Sequence, residues 1–111
     1  MVEQYLKRIV DKQIDEYLEF SGAILIEGAK WCGKTRTAKE KAASALFMQD
    51  PSKRSSYIGS ANTDPSNILE GDVPRLIDEW QLAPVIWDAV RFEVDERNSP
   101  GQFILTGSAT P

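Results

Sequence analysis

Histidine is absent from the 111 residues, and cysteine occurs once, at Cys32. No imidazole is therefore available as a general base or triad member, and one thiol supports neither an intramolecular disulfide nor a Cys/His zinc cage. Any metal must be held by oxygen. No apolar run approaches the ~18 residues that a membrane span requires, and Met1–Gln4 does not open a charged-then-apolar secretion signal. These absences predict a cytoplasmic chain with no membrane partner. Basic charge is in short supply as well: 13 Lys plus Arg stand against 17 Asp plus Glu, a net charge of −4. That balance argues against a broad nucleic-acid-binding surface, although an acidic chain can carry a local basic patch. Internal repeats and low-complexity tracts are also missing.

What is present suits one packed domain, with 41% apolar, 27% charged and 9% aromatic residues. Such a domain buries roughly 65% of the surface its unfolded chain exposes. Apolar positions Tyr5, Leu6, Ile9, Val10, Ile14, Tyr17 and Leu18 recur every three or four residues and predict a helix, entire or from about Lys12 to Phe20, broken by Ser21-Gly22. Residues 1–20 thus form a lead-in and helix, and residues 21–111 form the core. Ala23–Ile26 is a short continuous apolar run between glycines, the pattern of a strand buried on both faces. Lys34–Ala45 is rich in strong helix formers, and Ala45–Met48 reads as a second strand. Asp50–Asn62, punctuated by Pro, Ser and Gly, reads as a mobile surface loop. Asp64-Pro65 starts a short helix ending near Leu69, and Arg75–Asp78 is a third strand. Pro84 opens a helix with Ile86, Trp87, Val90 and Val94 on one face, and Gln102–Thr106 is a fourth strand. This alternation predicts an α/β fold with a mostly parallel sheet flanked by helices.

Two segments carry chemistry. Gly28-Ala29-Lys30-Trp31-Cys32-Gly33-Lys34-Thr35 satisfies G-x-x-x-x-G-K-[ST], the P-loop or Walker A pattern, between a strand and a helix. A chance match in a chain this long has odds of about 1 in 300. Glycines let the backbone wrap a phosphate with its N–H groups inward, and the helix N-terminus adds positive potential. Residues Gly28 to Arg36 are the predicted nucleotide-binding segment: Lys34 reaches the β and γ phosphates, and Thr35 offers its hydroxyl to Mg²⁺. The ordinary alternative is a glycine turn with a surface lysine. Leu76-Ile77-Asp78-Glu79, whose Asp78 lies 44 positions past Lys34, supplies the Walker B counterpart. There Asp78 holds Mg²⁺ through its water shell and Glu79 polarises the attacking water. By itself an apolar pair before Asp-Glu is also a common strand end.

The chain resembles the N-terminal part of an AAA+ type P-loop ATPase. More narrowly, IVDKQIDEYL, ILIEGAKWCGKT, PRLIDEWQ, IWDAVR and GQFILTGSATP resemble a bacterial and archaeal family of uncharacterised AAA+ ATPases. Members usually continue into a C-terminal domain of unknown function. The resemblance covers nearly the whole chain and is weakest from Pro51 to Asn62. It implies an ATP-binding core that hydrolyses ATP with Mg²⁺, truncated after the fourth core strand, without the fifth strand and helical lid. It also implies a polar sensor at the end of the fourth strand, for which Ser108 is preferred over Thr106. Its implied partners are nucleotide, the missing C-terminal region of the parent protein and a neighbouring subunit in a homo-oligomer, which would donate an arginine finger.

Arg91 is the resident candidate for such an arginine, against the commoner pairing with Asp88 or Asp95 on its own helix. Trp80 and Trp87 read as core more readily than as a partner surface. Lys30, Arg36, Lys39 and Lys41 form a local basic cluster, a weak nucleic-acid signal that phosphate binding and a solvated helix face explain between them. Cys32, inside the loop, is a candidate reactive thiol, with an inert small residue as the alternative. Two rival functions stay open: a P-loop kinase acting on a small molecule, and a nucleotide-responsive binding module without efficient hydrolysis. A fragment of this kind is expected to turn ATP over slowly. It is also expected to self-associate, since no helix follows the fourth strand to cover Phe103, Ile104 and Leu105.

Overall fold

The computed structural model describes residues 14–28 and 34–108, with side chains for 14–26 and 36–107. A first helix, α1, covers residues 14–20. Strand β1 (Ala23–Gly28) leads to α2 (Lys34–Lys41), β2 (Ser44–Phe47), α3 (Arg54–Thr63), α4 (Pro65–Leu69), β3 (Arg75–Asp78), a 3₁₀ turn (Trp80–Leu82), α5 (Val85–Arg97) and β4 (Phe103–Ser108). The four strands make one all-parallel sheet in the order β1-β4-β3-β2. The α/β architecture with flanking helices is as the sequence predicts.

Period-two alternation along the strands assigns the two faces. Leu76 and Ile104 pack with Ala38 of α2, joined by Ile24, Ile26, Phe47 and Leu18 of α1. On the opposite face Leu46, Ile77, Phe103 and Leu105 pack with Ala61 of α3, Ile68 and Leu69 of α4, and Ile86 and Val90 of α5. Right-handed crossovers explain this division. The β1-to-β2 connection crosses the whole sheet in one direction and the next two connections return, so α2 lies on one face and α3 to α5 on the other.

Several expectations are corrected. Residues 54–63 are a helix, not part of a loop, although Lys53 makes no side-chain cap and the segment is poor in helix formers. Ala61 is fully buried, and Tyr57 and Ile58 pack against the core, so tertiary burial stabilises a helix that propensity does not. Phe103, Ile104 and Leu105 are 0–2% exposed, because β4 lies between β1 and β3 with helices on both faces. The strands at the sheet's edges are β1 and β2, and Leu25 of β1 is partly exposed instead. Trp87 is likewise 37% exposed rather than core, its ring packed against that of Trp80 at a tilt of 37° with centroids 5.1 Å apart.

Helix ends are local in origin. Pro84 begins α5, and Asn98 ends it in the left-handed conformation (φ 49°), its N–H donating to the Val94 carbonyl at 2.9 Å. Pro65 occupies the first turn of α4 as expected, but the Asp64 carboxylate accepts from Ser66 Oγ rather than from a helix N–H. Helix α2 ends at Lys41, four residues short of the predicted Ala45, since Ser44 and Ala45 pair with Arg75 and Leu76 in the sheet.

Candidate functional site

Parallel strands bring their C-terminal ends to one edge of the sheet, the edge where open α/β folds bind ligands. Here that edge carries Gly28 at the end of β1, Asp78 at the end of β3 and Ser108 at the end of β4. The P-loop pattern therefore begins at the last residue of a strand, and Lys34 is the first residue of a helix. Ala29, Lys30, Trp31, Cys32 and Gly33 lie outside the described residues, as do the side chains of Lys34, Thr35 and Ser108.

The insertion of β4 between β1 and β3 sets the site's chemistry. Register pairs Asp78 with Thr106, and both follow, by two residues, side chains on the α2 face (Leu76 and Ile104). Their side chains meet: Thr106 Oγ1 donates to Asp78 Oδ1 at 2.6 Å, and neither residue is exposed. Gln49, just past β2, donates through Nε2 to Asp78 Oδ2 at 3.0 Å. Both carboxylate oxygens thus accept a hydrogen bond, as a buried carboxylate requires. These bonds come from three strands or their immediate extensions and lock the carboxylate's orientation.

Glu79 follows in a left-handed backbone conformation (φ 59°, ψ 50°) and is 5% exposed. A non-glycine residue held there costs on the order of 1–3 kcal/mol and persists where its surroundings over-determine it. The determinants are visible. Glu79 N–H donates to the Thr106 carbonyl at 2.7 Å, continuing the β3–β4 ladder by one residue, and the chain then coils into the 3₁₀ turn. Gln81, in that turn, donates through Nε2 back to Glu79 Oε2. The turn lies over Gly107, where a Cβ would come 2.8 Å from Gln81 Oε1 and 3.1 Å from Trp80 Nε1. A side chain at 107 would therefore displace the Gln81 amide from its seat, a role for Gly107 that residue spacing does not reveal. Gln49 is not marked by the sequence, and Gln81, which the sequence places with Trp80 beside the candidate catalytic edge, gives no sign there of its bond to Glu79, as a glutamine two residues past a strand or a carboxylate is too common to stand out.

The remaining predicted residues disperse. Arg36 is exposed on α2. Lys39 lies over the Phe47 ring at 5.4 Å, and Lys41 pairs with Asp15 at 3.1 Å, so two members of the basic cluster are engaged within the fold. Arg91 is exposed, makes no ion pair among the described residues with Asp88 or Asp95, and lines a groove of about 520 Å³ between α5 and the β1 edge. Among the described residues no group of three or more acidic or thiol side chains gathers as a metal cage, and no helix is long and apolar enough to cross a membrane.

Comparison with protein-family models, with curated proteins and with solved structures finds no match. The class that fold and site define is an α/β domain with an all-parallel four-stranded sheet among the described residues, carrying a buried Asp-Glu pair at the edge where the G-x-x-x-x-G-K-[ST] sequence pattern begins.

Proposed function

We propose that this chain is a P-loop nucleotide-binding core of AAA+ type that binds ATP with Mg²⁺ and hydrolyses it. The observation that carries the reading is the strand order: β4 lies between β1 and β3, so the polar end of β4 stands beside Asp78. A P-loop kinase of simpler topology would instead set the third strand directly against the first. The order β1-β4-β3-β2 therefore favours the ATPase over its kinase rival, and the buried, oriented Glu79 favours hydrolysis over a binding module that only senses nucleotide.

Lys34 neutralises charge on the terminal phosphates, and the backbone of residues 28–35 donates to the phosphate oxygens. The donor set fits a hard cation. Asp78 is a carboxylate at the correct edge, and Thr35 brings a hydroxyl to the start of α2. With both oxygens already accepting from Thr106 and Gln49, Asp78 suits contact through cation-bound water better than direct ligation. When bound, Mg²⁺ would neutralise charge developing between the β and γ phosphates. Glu79 accepts the proton from the attacking water. Thr106, already committed to Asp78, orients that carboxylate, which leaves Ser108 as the sensor candidate.

The decisive experiment is equilibrium ATP binding and single-turnover phosphate release by the wild-type chain, Lys34→Ala and Glu79→Gln. Lys34→Ala should weaken ATP binding at least tenfold, and Glu79→Gln should bind normally while its phosphate release falls about a hundredfold or more, to a slow residual rate. ATP affinity unchanged in Lys34→Ala would overturn the reading.

A further inference from the structure

We propose that Gln81 is a positioning residue for the water-activating glutamate: its side-chain amide holds the Glu79 carboxylate in the orientation needed to accept a proton. This inference rests on the functional reading above and concerns a residue that neither the P-loop nor the Asp-Glu pair accounts for.

Geometry, burial and steric fit support it independently. Gln81 Nε2 donates to Glu79 Oε2, and only the nitrogen end of the amide can face a carboxylate without repulsion. The oxygen end, Oε1, is buried with no hydrogen-bond partner among the described residues. A buried amide oxygen without a donor is costly, so the amide's placement is dictated by what its nitrogen does for Glu79. The seat is shaped for that amide, since residue 107 has no side chain and Oε1 lies against its backbone. The 3₁₀ turn that delivers Gln81 is braced by the Leu82 N–H to Glu79 carbonyl bond (3.2 Å), the Ala83 N–H to Trp80 carbonyl bond (3.0 Å) and the tilted Trp80–Trp87 ring contact. A free glutamate samples several rotamers, whereas a base must stay within hydrogen-bond reach of the proton it takes. Gln81 restricts that search from two residues away without removing the carboxylate's charge.

The test uses the full chain and four variants: Gln81→Met, Gly107→Ala, Glu79→Gln and the double variant Gln81→Met/Glu79→Gln. Methionine preserves length and volume but donates nothing. Gly107→Ala leaves Gln81 in the sequence and displaces its flexible amide, an adjustment a folded chain accommodates by moving the side chain. In the ligand-free chain, the Gln81 side-chain amide should give a downfield, slowly exchanging nitrogen-bound proton that is lost in Glu79→Gln and in Gly107→Ala. With saturating ATP and Mg²⁺, Gln81→Met and Gly107→Ala should release phosphate about tenfold or more slowly in a single turnover, while ATP affinity stays within about twofold. In the Glu79→Gln background, Gln81→Met should change the residual rate less than about twofold, because the group it positions is gone. Wild-type turnover by Gln81→Met, or a loss of ATP affinity equal to its loss of rate, would overturn the proposal. ATP hydrolysis by a wild-type chain that lacks the amide signature would overturn this inference alone. An intact signature in a chain that does not bind ATP would overturn the functional reading and, with it, the role given to Gln81.

Discussion

Replacing Thr106 by valine isolates one bond at the centre of the sheet. The two side chains have nearly the same shape, so no cavity opens and the β-branched backbone preference is kept. What disappears is the Oγ1 donor to Asp78 Oδ1, a 2.6 Å bond between two residues with no exposure. A hydrogen bond to a charged group contributes about 1.5–3 kcal/mol, and the acceptor left behind is buried away from water. At 2.1 cal/mol/K of unfolding entropy per residue, a chain of 111 residues has an entropy of about 0.23 kcal/mol/K, so a loss of ~2 kcal/mol lowers Tm by about 9 °C. Thr106→Ser keeps the donor and loses only a buried methyl, costing about 1 kcal/mol and about 4 °C. Thermal unfolding followed by circular dichroism should therefore rank wild type above Thr106→Ser above Thr106→Val. A denaturant titration should show lower midpoints with unchanged slope. A Thr106→Val chain melting within about 2 °C of wild type would refute the view that this bond orients the buried Asp78 side chain.

Two further outcomes follow from packing and titration. A Cβ on Gly22 would run into the Val94 side chain, so Gly22→Ala should lose about 1–3 kcal/mol, and Val94→Ala in the same chain should restore part of it; a denaturant midpoint unmoved by Gly22→Ala would contradict this. The Ser52 hydroxyl, and then the Ser52 backbone N–H, hold the Asp50 carboxyl below its ordinary value of 3.8. A depressed carboxyl pKa stabilises the folded turn above the unfolded value and ceases to do so as pH falls through the folded one. Ser52→Ala removes the larger of these two bonds and should raise the Asp50 midpoint towards 3.8, read by carboxyl carbon resonance; an unchanged midpoint would remove the hydroxyl as the cause.

Much of the framework was legible because short-range chemistry decides it. Short apolar stretches mark β1 and β4, a strand buried on both faces having no polar alternation to display, and Pro74 stands just before the short β3. The same reasoning located α5, whose ends are set by Pro84 and by the left-handed Asn98. Residues 54–63 were illegible for a physical reason. RSSYIGSANT has neither helical propensity nor a clean apolar stripe, and its helix exists because Ala61 finds a place beneath the sheet's far face. Strand adjacency is equally invisible along the chain. Thr106 and Asp78 are 28 residues apart, and only the insertion of β4 beside β3 makes them partners, since register within a parallel sheet is a long-range property. The same insertion buried Phe103, Ile104 and Leu105, which local reasoning left uncovered, and passed the open edge to β1. The sequence by itself determined where the G-x-x-x-x-G-K-[ST] pattern and the Asp78-Glu79 pair lie along the chain, each beside a strand end. Tertiary structure alone decided that Asp78 is clasped by Thr106 and Gln49, and that Glu79 is held by a turn folded over a glycine. Hydrogen bonds between distant segments form only where packing has already brought their backbones together.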